Sequence, residues 1–178
     1  MTSIDNISLS FVIPVKDESE TLGTLYQGIS DTVIKMDSRN RFEVIFIDDG
    51  STDSSWVEMT RLAEQYPKTV KAIKLRRNFG KAFALSSGFQ KCQGDIIFTM
   101  DADLQDDPSE IPKFLAKIDE GFDVVSGWKN NRQDPLSKTL PSKLFNKMTA
   151  KLTGISLHDF NCGFKAYKKE VLEGIKIY

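Results

Sequence analysis

Histidine and cysteine are almost missing from this chain, with one His and two Cys in 178 residues. A single histidine, His158, cannot build a histidine-based metal centre, and beside Asp159 it reads as a surface residue. Cys92 and Cys162 are too few for a disulfide framework and lack metal-ligand spacing, so they are expected as reduced, partly buried thiols. Long apolar runs are also lacking: none approaches the ~20 residues of a membrane-spanning helix. Residues 1–8 are short and polar, unlike a secretory leader. An excess of charge is lacking too, since 24 Lys and Arg stand against 25 Asp and Glu. That balance removes the electrostatic case for binding nucleic acid. The expectation is one soluble, intracellular domain over residues 1–178, without repeats or linkers.

What is present is an alternation of strand and helix signals. Residues 9–14 form a short apolar run closed by Pro14, and Ser19 can cap a helix reaching Met36 through Leu22, Leu25, Ile29 and Val33. Residues 42–47 and 70–75 read as strands. Between them a helix starts at Asp53 or Ser54 and ends before Pro67. A helix over residues 80–91 leads through Gly94 into a strand at Ile96, Ile97 and Phe98. Pro108 and Ser109 open a further helix, followed by Gly121 and a short strand over residues 122–126. Beyond a polar stretch over residues 130–137, a helix is expected over 142–152, then a strand over 163–167, a short helix and a final segment over 175–178. This order predicts an α/β fold, mainly parallel and doubly wound. Lys129, Arg132, Lys138, Lys143, Lys147 and Lys151 face only Asp134 in their stretch. That cluster suits phosphates or an anionic membrane surface, and equally a solvated helix face.

The most informative stretch is Asp95-Ile-Ile-Phe-Thr-Met-Asp-Ala-Asp-Leu-Gln105. Its apolar core reads as a buried strand that delivers Asp101 and Asp103 to the carboxyl end of the sheet, where open α/β folds bind ligands. Two carboxylates so close repel each other unless a cation lies between them. Hard oxygen donors suit Mg²⁺ or Mn²⁺, whose shell substrate phosphates complete, and Gln105 can add a neutral oxygen. Structural acids at a strand end are the plainer alternative. A haloacid-dehalogenase-type phosphatase also carries Asp-x-Asp, but on its first strand, whereas three strands come first here.

Other turns point to the same edge. Glu18 follows the first strand, where a carboxylate can accept from a nucleobase or sugar, or simply favour a helix N-terminus. Asp48-Asp-Gly-Ser-Thr-Asp53 reads as a capped β–α turn, yet one acid would suffice for that, and an imide N–H suits the spare carboxylate. Arg76-Arg-Asn-Phe-Gly-Lys81 places cations and a glycine between strand and helix without matching a P-loop.

Taken in order, Val12-Ile-Pro-Val-Lys-Asp-Glu18, Ile47-Asp-Asp-Gly-Ser-Thr-Asp53, Asn78-Phe-Gly-Lys81 and Asp101-Ala-Asp-Leu-Gln105 resemble the family 2 glycosyltransferases, with their Rossmann-like GT-A fold. Asp101-Ala-Asp-Leu-Gln-Asp-Asp-Pro108 and Asp159-Phe-Asn-Cys-Gly-Phe-Lys165 narrow the likeness to polyprenyl-phosphate (dolichol-phosphate-mannose-synthase-like) enzymes. Asn78-Phe-Gly-Lys81 is closer to the bacterial undecaprenyl-phosphate branch, which favours a UDP-sugar over GDP-mannose. The resemblance implies an inverting transfer from a nucleotide-sugar to a polyprenyl phosphate, dependent on Mg²⁺ or Mn²⁺, at the inner face of a membrane, in cell-envelope biosynthesis. It implies that Pro14, Val15, Glu18 and Asp49 surround the nucleobase, with Asp48, Lys81 and Ala102 also on the donor. Asp101, Asp103 and Gln105 would hold the metal. Lys129, Arg132 and Lys165 would meet the donor diphosphate or acceptor phosphate, and Asp159, Asp103 and Arg132 are the implied catalytic residues. Many relatives carry arginine where Lys129 and Lys165 stand, and lysine loses the bidentate fork.

Relatives usually continue into a basic membrane-proximal segment and transmembrane helices, so a catalytic domain truncated at its C-terminus is expected. The alternatives are a family 2 transferase acting on a saccharide hydroxyl, although its Gln-x-x-Arg-Trp element is missing, and a donor-binding module inactive through truncation.

Overall fold

The computed structural model describes residues 8–36, 41–128 and 162–173. Strands β1 (Ser8–Val15), β2 (Arg41–Asp48), β3 (Val70–Lys74), β4 (Ile96–Thr99), β5 (Val124–Ser126) and β6 (Lys165–Lys168) form one sheet in the order β3-β2-β1-β4-β6-β5. The ladders β1/β2, β2/β3 and β1/β4 are parallel, and β6 runs antiparallel to both β4 and β5. Helices α1 (Leu22–Met36), α2 (Ser55–Gln65), α3 (Lys81–Phe89), α4 (Ile111–Asp119, after a 3₁₀ turn at Pro108–Glu110) and α5 (Lys169–Glu173) cover the faces. This is the mainly parallel, doubly wound architecture that the sequence predicts. The helix expected over 142–152 and the segment over 175–178 lie outside the described residues.

The strands read as near-continuous apolar runs because both faces are covered. Along β1, Leu9, Phe11, Ile13 and Val15 enter the larger core, shared with α1, α2 and α4, while Val12 enters a smaller one beneath α3. β2 divides in the same way, with Val44 and Phe46 on one face and Ile45 and Ile47 on the other. Leu22, Leu25, Ile29 and Val33 of α1 are fully buried. Each such side chain contributes about 1.5–3 kcal/mol relative to exposure.

Element ends differ from the sequence expectation where side chains intervene. β1 runs one residue past Pro14, because the carbonyls of Ser8 and Val12 face β4, and Pro14 shares their side of the strand. β4 has already left the ladder at Thr99, so the missing proline N–H costs no bond. α1 begins three residues after Ser19, whose amide is held by Asp53 Oδ2 at 3.2 Å. Cys92 and Cys162 form no disulfide and are half-buried and buried respectively.

At the amino end of the sheet a polar cluster interrupts the apolar strands. Glu43, almost fully buried, accepts from Ser10 Oγ at 2.7 Å, Gln93 N at 2.6 Å and Lys71 Nζ at 2.6 Å. Ser10 Oγ in turn accepts from Gly94 N at 2.9 Å, which ties the entry of β4 to β1. Burial alone pushes the Glu43 carboxyl upward, but the bonds from Lys71, Ser10 and Gln93 outweigh it and hold the group below its usual 4.5. A depressed folded-state pKa contributes stability above the unfolded value and loses it as pH falls through the folded one. Glu43→Gln is therefore expected to cost about 1–3 kcal/mol in urea unfolding at pH 7, with the difference from the parent shrinking below about pH 4.5. Equal midpoints at pH 7 would show that this cluster does not stabilise the fold.

Candidate functional site

Chain order reverses between β1 and β4: β2 and β3 build outward on one side, then the chain returns to start β4 on the other. Such a switch point leaves a crevice at the carboxyl ends of the strands. Here it is a cleft of about 330 Å³ lined by Pro14, Val15, Lys16, Glu18, Asp49, Asn78, Gly80, Lys81, Asp101, Ala102 and Asp103. Eight of the expected site residues therefore meet in one place: Pro14, Val15, Glu18, Asp49, Lys81, Asp101, Ala102 and Asp103.

The remaining expected residues are elsewhere. Asp48 is fully buried below the cleft; its Oδ1 accepts from Ser51 N at 2.8 Å, and its Oδ2 meets no donor among the described residues. The turn, not the cleft, takes that carboxylate. Gln105 is not on the cleft wall, and its amide donates to Asp103 Oδ1 at 3.1 Å. Lys165 opens β6 opposite Thr99 at the carboxyl end of β4, one strand from the cleft and not lining it. Lys129, Arg132, His158 and Asp159 lie outside the described residues.

Each wall is fixed by hydrogen bonds between loops. Asp49 accepts from Phe79 N at 2.7 Å and Gly80 N at 2.9 Å, docking the β2 turn onto the start of α3. A carboxylate oxygen has two acceptor sites, so these bonds leave capacity for an imide N–H. Asp17, at φ 57°, accepts from Thr52 N at 2.6 Å and pairs with Lys16 at 2.8 Å. The Lys16 ion pair, with the Thr52 amide bond, holds the Asp17 carboxyl well below the usual carboxylate range. Lys16 Nζ also donates to Gly50 O at 2.8 Å.

On the β4 side, Asp106 is buried and its Oδ2 accepts from Asp101 N at 3.1 Å. The loop then turns through Leu104 at φ 61°, a left-handed conformation costly for a side chain of that bulk, typical of a functionally constrained turn. Gly163 packs against Asp101: a Cβ there would lie 2.5–2.6 Å from its carboxylate atoms. Thr99 Oγ1 donates to Gly163 O at 2.7 Å and holds that wall in place. Lys81 Nζ is ion-paired with Asp101 Oδ1.

Sequence reasoning gave no role to Asp106, Asp17, Gly163, Lys16 or Asn78. For Asp106 a signal existed, since four acids crowd positions 101, 103, 106 and 107 and more than two of them need a task. Nothing in the sequence marks Gly163 as a neighbour of Asp101.

Glu18 reports the electrostatics of the cleft. Burial pushes its carboxyl above the usual 4.5, and the charges of Asp103, Asp53, Asp101 and Asp17 push it further. Such a surplus of negative charge accommodates a cation. Among the described residues no group of three or more acidic, histidine or cysteine side chains is arranged to hold a metal ion. Two carboxylates on one cleft wall nonetheless suit Mg²⁺ or Mn²⁺, which keep positions for water and phosphate oxygens. The residues present fit such an ion, and Asp101 and Asp103 are the side chains that would hold it.

Comparison with known proteins agrees with this geometry. The profile of Glycosyl transferase family 2 matches residues 10–176. An undecaprenyl-phosphate 4-deoxy-4-formamido-L-arabinose transferase of Pseudomonas syringae pv. syringae (strain B728a) is 37% identical over 167 residues, 94% of this chain and 49% of the relative. The enzyme of that name from Salmonella choleraesuis (strain SC-B67) is 40% identical over 166 residues, 93% of this chain and 50% of the relative. This chain thus spans about half the length of these relatives. Among solved structures, glucosyl-3-phosphoglycerate synthase from Mycobacterium tuberculosis with Mn²⁺, UDP and glucosyl-3-phosphoglycerate superposes at TM-score 0.69 and 22% identity, covering 93% of this chain and 58% of that one. A mannosyltransferase from Pyrobaculum calidifontis with GDP-Man and Mn²⁺ gives 0.66 and 21%, covering 96% and 47%. These likenesses establish the GT-A fold. The chain belongs to glycosyl transferase family 2.

The contact between Gly163 and Asp101 is testable. Gly163→Ala should displace the Asp101 carboxylate and weaken Mn²⁺ binding, read by paramagnetic resonance of free Mn²⁺, by roughly tenfold or more. A circular-dichroism spectrum like that of the parent separates this effect from loss of the fold. Unaltered Mn²⁺ affinity would mean that Asp101 does not carry the ion in this geometry.

Proposed function

We propose that this family 2 chain binds a nucleotide-sugar, a UDP-sugar in preference to GDP-mannose, and takes part in transferring the sugar to a polyprenyl phosphate at a membrane surface. The observation that carries this reading is the meeting of Asp49, Lys81, Asp101 and Asp103 in one cleft at the switch point of the sheet. The names of the relatives, undecaprenyl-phosphate transferases, support the acceptor class. Mn²⁺ beside UDP or GDP-Man in the fold neighbours supports a metal-bound donor. Membrane contact in this reading is peripheral; among the described residues no helix is long and apolar enough to cross a membrane.

In this reading Pro14, Val15 and Glu18 bound the nucleobase, and a free acceptor site of Asp49 takes its imide N–H. Asp101 and Asp103 hold a divalent cation, Mg²⁺ or Mn²⁺. When bound, that ion supplies Lewis-acid stabilisation of the leaving nucleoside diphosphate. Lys81, at the first position of α3, adds a cation on the diphosphate side. The acceptor phosphate, already ionised at neutral pH, attacks the anomeric carbon from the opposite face, so that a strong general base is not required. Lys129, Arg132 and Lys165 neutralise the phosphates, and Asp159 orients the acceptor or one of these cations.

Calorimetric titration of UDP and GDP, each with and without Mn²⁺, tests the donor half. UDP should bind only with Mn²⁺, and Asp103→Ala should weaken it by at least about tenfold, the scale of a lost charge-assisted contact. Metal-independent binding would remove Asp101 and Asp103 from this role, and preference for GDP would move the assignment to mannosyl donors. Transfer of label from a UDP-sugar to polyprenyl phosphate, abolished in Asp159→Ala, tests the acceptor half.

A further inference from the structure

Within the cleft, Lys81 and Asp101 differ in freedom. Asp101 is fixed at two points: its amide is bonded to Asp106 Oδ2, and its carboxylate rests on Gly163, which is itself held by Thr99. Its side chain is only 27% exposed. Lys81 has a fixed base, because Asp49 holds the two preceding amides, but its four-carbon stem is 52% exposed and reaches across the cleft to Asp101 Oδ1. One oxygen of a carboxylate suited to a divalent ion is thus engaged by an ammonium. A metal ion at Asp101 and an ammonium at the same oxygen repel each other, and Lys81 is the partner with room to move.

We propose that Lys81 is a tethered stand-in for the divalent cation, pairing with Asp101 in the metal-free protein, yielding it to the metal, and passing to the donor diphosphate. This inference rests on the donor-site reading above and adds a coupling to it. Metal alone binds weakly, since it must displace an ion pair and leave the ammonium without its partner. With a diphosphate present, the released ammonium gains two anionic neighbours. Metal and nucleotide therefore raise each other's affinity by the same factor. A lysine suits this exchange better than an arginine, being a compact charge on a flexible stem rather than a planar fork.

The test measures Mn²⁺ alone by paramagnetic resonance, and UDP by calorimetry at zero and saturating Mn²⁺, in the parent, Lys81→Met and Lys81→Gln. Both variants should bind Mn²⁺ alone more tightly than the parent, on the order of fivefold, the upper range for a partly exposed ion pair. Their gain in UDP affinity on adding Mn²⁺ should be smaller than that of the parent. If both neutral variants bind Mn²⁺ no more tightly while the parent still binds UDP with Mn²⁺, the stand-in role falls and the donor site stands. A parent that binds neither Mn²⁺ nor UDP with Mn²⁺ overturns both.

Discussion

The parting of β1 from β4 beyond Val12 and Thr99 is the constraint on which the site depends. Loops that leave a parallel ladder carry amides that the sheet no longer satisfies, and such groups need partners. Here carboxylates supply them. Asp17 takes Thr52 N and Asp53 N, Asp48 takes Ser51 N, and Asp49 takes Phe79 N and Gly80 N. Asp53 takes Ser19 N and Ser55 N, and Asp106 takes Asp101 N. The crevice is thus walled by turns that acids hold together. Each acid on a backbone amide is pinned in place, and the acids left facing the cleft find their neighbours already negative.

That arrangement explains how much of the site was legible in the sequence. The order of apolar runs and capping residues was enough for the strands, the helices and the parallel sheet, because both are local and periodic. Asp101 and Asp103 were legible because an apolar strand running into paired acids has few structural explanations. Asp48 and Asp49 were not separable, since a β–α turn and a ligand site both ask for an acid there. What divides them is the alternation of the strand: Asp48 points with Val44 and Phe46 into the larger core, and Asp49 lies past the strand end at the cleft. The part played by Gly163 was invisible, because it depends on a contact between segments far apart in sequence.

The two ends of the sheet use charge differently. At the amino end, Glu43 spends its acceptor capacity on Ser10, Gln93 and Lys71 and keeps an ordinary carboxylate charge despite burial. At the carboxyl end, the carboxyl of Glu18 is raised by burial and by the acids around it. One acid closes its surroundings and the other leaves them open. The Cys92 thiol, close to Glu43, is pushed up to about 12 chiefly by burial and then by that acid, which leaves it unreactive as a nucleophile.

The antiparallel strand β6 has a consequence for how the molecule is made. Thr99 and Gly163 touch across 64 positions of sequence, so the wall behind Asp101 does not exist until the chain has been synthesised past that point. A nascent chain emerging in order forms β1 through β4 first and presents Ile96–Thr99 as a bare, apolar edge. Edges of that kind pair with whatever strand is nearest, including another chain. Late arrival of β6 therefore covers an adhesive edge and completes the wall behind Asp101 in the same step. A polypeptide caught before that step is at once the form most prone to aggregate and the form with an unfinished site.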